Sequence, residues 1–272
     1  MERRIAWAVV SVPALGTLAA AAWAFKTGVQ PIDLALCGGM YVATMLGITA
    51  GYHRHFTHRS FQARPAVRTL LGALGSMAGQ GPLLYWVAAH RRHHQHADRP
   101  GDPHSPHEGG FWHAHLTWML QPTPEDWVRV VPDLLKDDLA MSLHLRYFAW
   151  VGVGLLIPAL LGALAHRPLE GLLWGGLVRM FLVHHATWLV NSWCHLVGGR
   201  AHETADRSTN SFACALLTLG EGWHNNHHAA PAAARHGRAW WQADLTYGAI
   251  RLLERFGLAS QLVGACEAKD QP

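Results

Sequence analysis

Residues 221–228 read EGWHNNHH and residues 90–94 read HRRHH, so one H-x-x-H-H spacing occurs twice in the chain. In a helix, steps of three and four residues return to about the same face. His224, His227 and His228 can therefore converge on one point, and His90, His93 and His94 on another. Imidazoles gathered in this way form a metal site. A further group stands in GYHRHFTHRSF, where His53 and His58 are five residues apart. Five residues do not return to one face of a regular helix, so this pair is expected at a helix end or directed at two ions. In NSWCH, Asn191 and His195 are four apart. Nine imidazoles and one amide are thus available, too many for one tetrahedral ion and about right for two ions of higher coordination.

The composition agrees, because the 21 histidines outnumber the 18 aspartates and glutamates. A polyhistidine storage surface would not need the repeated spacing. A zinc metalloprotease would show H-E-x-x-H, and HEGGF and HETAD both lack its second histidine. Cys37, Cys194, Cys214 and Cys266 lie far apart with no C-x-x-C, which argues against iron–sulfur, zinc-ribbon and dithiol sites and against a disulfide framework. His113, His115, His144, His166, His202 and His236 are expected to be packed, hydrogen-bonded residues. His55, His96 and His184 lie beside the clusters, as supports of ligands or as passengers.

These groups must be held by elements set in or against lipid. Half of the 272 residues are hydrophobic and only 15% are charged, below the quarter or so usual for soluble domains. Four segments have the length and apolarity of membrane helices: about 5–25, 32–51, 147–165 and 169–190. Short connections make them two hairpins. The expected fold is all-α, one membrane domain over residues 1–272, with a helical cap formed by 52–146 and 191–272. Arg3, Arg4 and the basic residues of the middle segment put that cap on the cytoplasmic side, in a bacterial inner membrane. The stretch 69–89 is also apolar, but a span there would put the first histidine group across the lipid from the second. Its glycines and Pro82 favour a helix within the cap or on the membrane surface. MERR and the apolar run after it resemble a signal peptide; the length of the run and its pairing with the next span favour a retained helix. The net charge of +4 comes from scattered arginines, which gives no nucleic-acid surface but could meet anionic headgroups or an acidic redox partner.

A neutral, all-nitrogen donor set could hold zinc or iron. Zinc has no redox chemistry. Iron with open positions can activate dioxygen, and lipid offers a substrate whose C–H bonds yield only to such an oxidant. The residues alone thus point to a membrane metalloenzyme that uses dioxygen, with its product left open.

At these motifs the sequence resembles the integral-membrane fatty acyl desaturases of the Δ9, stearoyl type. The matching wording is GYHRHFTHRSF, HRRHHQHAD followed by DPHSP, GGFWHAHLTWML, ATWLVNSWCHLVGGR, DRSTNSFACALLTLGEGWHNNHHAAP and ARHGRAWWQADLTY, in family order over most of residues 50–250. It is most similar to bacterial and cyanobacterial members, some of which act on lipid-esterified acyl groups. The resemblance implies a four-helix membrane stem with a cap holding two iron ions. The implied ligands are His53, His58, His90, His93, His94, His195, His224, His227 and His228, with Asn191 acting through water. Gln80, Trp86 and Thr187 would line the bend of an acyl tunnel. The implied reaction places a cis double bond in a saturated chain carried on CoA or on a membrane lipid, consuming dioxygen and two electrons. Those electrons are expected from a separate ferredoxin or cytochrome b5, since no dinucleotide fingerprint or haem-attachment motif occurs. A diiron lipid hydroxylase carries similar boxes and is the alternative in the same chemistry. A membrane metal-binding or transport protein is the alternative in another class; it would need ionisable residues along a path through the spans, for which Arg179, His184 and His185 are the only candidates, too few and too near one end.

Overall fold

The computed structural model describes residues 3–121 and 126–266. Helix α1 (Arg3–Thr27) has 25 residues, about 37 Å at 1.5 Å per residue, enough to cross roughly 30 Å of hydrocarbon. Helix α2 (Pro31–Leu46) starts with proline at its first position, and the Gln30 amide donates to Asp33 Oδ2 at 2.8 Å. It runs on without a break into a π-wound stretch, Gly47–Thr57.

The second hairpin consists of Tyr147–Ala163 and a helical path from Pro168 to Ser192 that is π-wound over Gly171–Val178. Its turn is fastened to the first. Arg167 donates from Nε to Asp33 Oδ1 (3.1 Å) and from Nη2 to Oδ2 (2.8 Å), and Trp23 Nε1 donates to Glu170 at 3.1 Å. Both hairpin turns therefore lie at the same end of the bundle.

Of the four expected spans, two stand out in the structure by length and apolarity. Among the described residues α1 and the continuous Pro31–Thr57 helix are long and apolar enough to cross a membrane, and a third span arises only if Asp138–Leu145 and Tyr147–Ala163 are joined across a 64° bend. The 169–190 segment is part of a continuous helical path, π-wound over Gly171–Val178, and carries Arg179 fully buried. That guanidinium donates to three carbonyls, Gly175 (3.1 Å), Met77 (2.7 Å) and Gly154 (3.0 Å). It pins neighbouring segments together.

The apolar 69–89 stretch is not one helix. It is divided between α3 (Pro65–Met77) and α4 (Leu83–His96) because Gly79 and Gly81 take φ of 77° and 113°, a region open mainly to glycine. Helix α3 crosses the π-wound end of α2 at backbone contact: a Cβ on Gly47 would lie 2.2 Å from the Gly75 nitrogen. The main core, with Met45, Ile48, Tyr52, Leu83, Leu84, Val87, Leu143 and Val183, fills the space between these helices. Almost all the rest is helix or loop. A two-stranded antiparallel pair, Gln62–Ala63 with Ala259–Ser260, returns the C-terminal region to the end of α2.

Candidate metal centre

The wide winding of α2 answers the five-residue spacing. The His58 amide donates to the His53 carbonyl at 3.1 Å, an i to i+5 bond, and brings the two rings to 4.8 Å on one side. Such π turns gather at functional sites. On α4, His90, His93 and His94 share a face, while Arg91 and Arg92 point the other way to Asp133 (2.6 Å) and Asp126 (3.0 Å). His195 ends a short 3₁₀ turn after the last helix. His224–His228 forms a helix of only five residues, too short to persist by itself, and the asparagines between its histidines anchor it. Asn225 Oδ1 accepts the Ala201 and His202 amides, both at 2.8 Å, and Asn226 Nδ2 donates to the His236 carbonyl (2.9 Å) and Gln242 Oε1 (3.0 Å).

The structure brings the nine histidines into two groups: His53, His58, His90, His94 and His227 in one, and His93, His195, His224 and His228 in the other. Each H-x-x-H-H box is split between the groups, so His227 and His228, adjacent in sequence, serve different points. In the first group the Nε2 atoms of His53 and His227 lie 3.2 Å apart, His58 and His90 3.0 Å, His90 and His94 3.1 Å, and His94 and His227 2.9 Å. In the second, His195 and His224 are 3.0 Å apart, His224 and His228 3.0 Å, and His93 and His228 3.4 Å. Adjacent nitrogens about 2.1 Å from a common ion would stand about 3 Å apart, so both donor sets fit a metal ion.

Behind several of these rings stand carboxylates. His93 Nδ1 lies 3.0 Å from both oxygens of Asp102, His195 Nδ1 2.8 Å from Asp98, and His228 Nδ1 2.9 Å from Asp206. Burial alone would raise these carboxyls, but the histidine hydrogen bonds outweigh it and hold Asp98 at about 2, with Asp102 and Asp206 well below the usual range. An ionised carboxylate only accepts, so the proton sits on Nδ1 and Nε2 presents a bare lone pair to the centre. Lone pairs facing one another at 3 Å repel, and a cation between them removes the repulsion.

Burial, reinforced by neighbouring imidazoles, lowers His90, His94, His224 and His227 well below the usual range. Burial also brings His228 down, to about 4, against the pull of Asp206. The unfolded chain, with imidazoles near 6.5, takes up protons that the folded protein refuses. The sign follows: this contribution to stability is complete above about pH 7 and is lost as pH falls from about 6.5 towards 4. Thermal melting of the metal-free protein at stepped pH should show a plateau at neutral pH and a fall across that window; melting unchanged down to pH 4 would contradict it.

A cavity opens onto both groups, lined by His53, His90, His224 and Asn191 and by the predicted tunnel residues Gln80, Trp86 and Thr187. Gln80 donates to Thr187 Oγ1 at 2.7 Å and accepts from Trp86 Nε1 at 3.2 Å, and Trp86 stacks on His90 with centroids 5.2 Å apart. Asn191 thus sits in the cavity wall.

Two histidines at the centre lie outside the predicted set. His104 lines the cavity with a buried Nδ1 that makes no hydrogen bond and lies 3.8 Å from Asp102. His236, expected to be a packed residue, is instead buried with its ring 4.6 Å from that of His227 and its Nδ1 3.2 Å from Glu221. Of the remaining histidines, His107 bonds the His195 carbonyl at 2.8 Å and the others stand apart. His55 bonds Phe61 and Arg68, His184 the Ala78 carbonyl, His113 the Pro103 carbonyl, His144 the Leu84 amide, His202 Arg238, and His115 pairs with His185 and Ser192. His96 packs against Gly101. His166, also expected to be packed, is exposed at the hairpin turn with φ of 57°.

Comparison with known proteins agrees with this architecture. The chain is 39% identical over 262 residues to a hex-5-enoyl-[acyl-carrier protein] acetylenase of Moorena producens (strain JHB), covering 91% of this chain and 82% of that one. It is 41% identical over 220 residues to an sn-1 stearoyl-lipid 9-desaturase of Anabaena variabilis (80% and 78%). With an acyl-CoA 5-desaturase of Anemone leveillei it shares 42% identity over 232 residues (84% and 68%). The fatty acid desaturase family model matches residues 33–257, and the chain belongs to that family of oxidoreductases.

Proposed function

We propose that the protein inserts a cis double bond at the Δ9 position of a saturated acyl chain carried on a membrane lipid or on CoA. It would do so with two iron ions, dioxygen and two electrons from a separate ferredoxin or cytochrome b5. The observation that carries this reading is the convergence of two all-imidazole donor groups on one cavity. The relatives support the chemistry and divide on its details, since one is named for a lipid-linked 9-position and another for an acyl-CoA 5-position. The protein is read as a multi-pass membrane protein with this cavity on the cytoplasmic face.

His53, His58, His90, His94 and His227 would hold one ion and His93, His195, His224 and His228 the other, with Asn191 in the cavity wall holding water. Bound iron would supply the oxidant that dioxygen becomes on reduction. The chain does the rest. Carboxylates fix the tautomer and orientation of three rings. Trp86, Trp118 and Trp188 wall the cavity and exclude water from it. The hydrogen-bonded Gln80–Thr187 pair forms a rigid rim past which an acyl chain must turn, so the methylenes beside the ions are set by how far the chain enters.

Replacing Trp86 or Thr187 by alanine is expected to change chain-length or positional preference while metal content stays the same. Product profiles across several chain lengths check this, and an unchanged profile would assign both residues to packing. The reading itself is tested by gas chromatography with mass spectrometry of lipids from an expressing host, with phospholipid and thioester pools separated at early times. A new monounsaturated chain is the expected result; a hydroxylated chain with no new double bond would replace the desaturase by a hydroxylase.

A further inference from the structure

The two donor groups differ in what stands behind them. In the four-imidazole group, three rings are backed by aspartates: His93 by Asp102, His195 by Asp98 and His228 by Asp206. Each aspartate is locked by other donors. Asp102 accepts the amides of Asp98 (2.9 Å) and His104 (3.0 Å), Asp98 accepts Ser105 Oγ (2.9 Å) and the Arg207 amide (2.8 Å), and Asp206 accepts the Ser208 amide (2.9 Å) and Thr204 Oγ1 (2.9 Å). Among the described residues no arginine or lysine side chain forms an ion pair with any of the three; their charged-group contacts are to histidine.

In the five-imidazole group, among the described residues, only His53 meets a carboxylate. Glu221 Oε2 lies 2.7 Å from its Nδ1 but off the hydrogen-bond axis. The same carboxylate takes two hydrogen bonds from Arg54, at 3.1 and 2.9 Å, so its charge is already answered. His227 Nδ1 is buried with no hydrogen-bond partner.

A carboxylate behind a ligating imidazole fixes the ring and makes its far nitrogen a better donor, and uncompensated negative charge near the ion adds direct attraction. Resting on the reading of both groups as metal sites, we infer that Asp98, Asp102 and Asp206 make the four-imidazole site the tighter one, which loads first and empties last. A count of nitrogens predicts the reverse, because the other group has one donor more. The two criteria therefore disagree, and the order of metal loss decides between them.

The test uses the full-length protein in detergent, loaded with Fe²⁺ without oxygen, and follows retained metal against a competing chelator. The intact protein is expected to release its two ions in two steps. His58→Ala, which damages the five-imidazole site, should leave an ion that withstands at least about tenfold more chelator than the ion left by His224→Ala. Asp98→Asn and Asp206→Asn, which keep shape and remove charge, should each weaken retention of the late-leaving ion by about 10–100-fold. Glu221→Gln should move only the early one. Melting curves identify any variant that fails to fold, and two independent asparagine variants keep the test open. Release of both ions together, the opposite order, or folded asparagine variants with unchanged retention would overturn the inference while leaving the desaturase reading intact. A protein that binds no Fe²⁺ would overturn both.

Discussion

Alanine at His227 or at His228 is expected to remove metal and abolish desaturation, each from a different donor group. His227 faces His53 and His94 at 3.2 and 2.9 Å, whereas His228 faces His224 and His93 at 3.0 and 3.4 Å. Loss of an outer-shell partner of a ligating histidine costs about 10–100-fold in metal affinity or activity, and loss of the ligand itself should cost more. The long helices do not depend on these side chains, so membrane insertion should be kept. Metal analysis together with double-bond formation in a host checks both statements. Because the two residues belong to different donor groups, each variant is expected to retain up to one ion per chain. Full activity in either variant would refute its ligand role.

The second large effect concerns Arg54, which is fully buried beside the centre. It donates to Glu221, to Asp244 Oδ2 at 3.0 Å and to the Ala234 carbonyl at 2.8 Å. Asp244 in turn accepts the His236 amide at 2.8 Å and caps the Leu245–Arg255 helix through the Tyr247 amide at 2.8 Å. Arg54→Ala would leave two buried carboxylates without their cation, at a cost of about 3–5 kcal/mol. At roughly 2–4 °C per kcal/mol for a chain of this size, melting in detergent should fall by about 10 °C. Arg54→Lys should recover only part of this, since one ammonium cannot reproduce the forked contacts. Melting of Arg54→Ala within about 1 °C of the parent would contradict the assigned role.

The centre was more legible in the sequence than the fold around it. Spacing identified the histidines because one helical face repeats at three and four residues, a constraint that depends on nothing distant. Spacing could not divide them between two points, since that depends on how α4 and the His224–His228 turn face each other. The aspartates were visible in the wording HADRPGDPH and HETADRS. Their role needed the loops that carry Asp98, Asp102 and Asp206 back behind the rings, and a loop's path has no periodic signature. Glu221 and His236 were likewise present in motifs already singled out, but their contact needs the path of residues 229–236, which folds His236 back against Glu221. The π winding of Gly47–Thr57 left a trace, the awkward five-residue gap between His53 and His58. The four spans are legible as apolar runs, and two of them stand out by length and apolarity in the structure, since Tyr147–Ala163 has only 17 residues and the 169–190 segment carries the buried Arg179.

The most direct test is elemental analysis of purified protein whose desaturation of an acyl chain has been demonstrated in the same preparation. Two imidazole-ligated ions at one cavity predict about two iron atoms per chain, with turnover falling in step as iron is withdrawn and returning when it is restored. Undiminished turnover in protein that contains no iron would contradict the account.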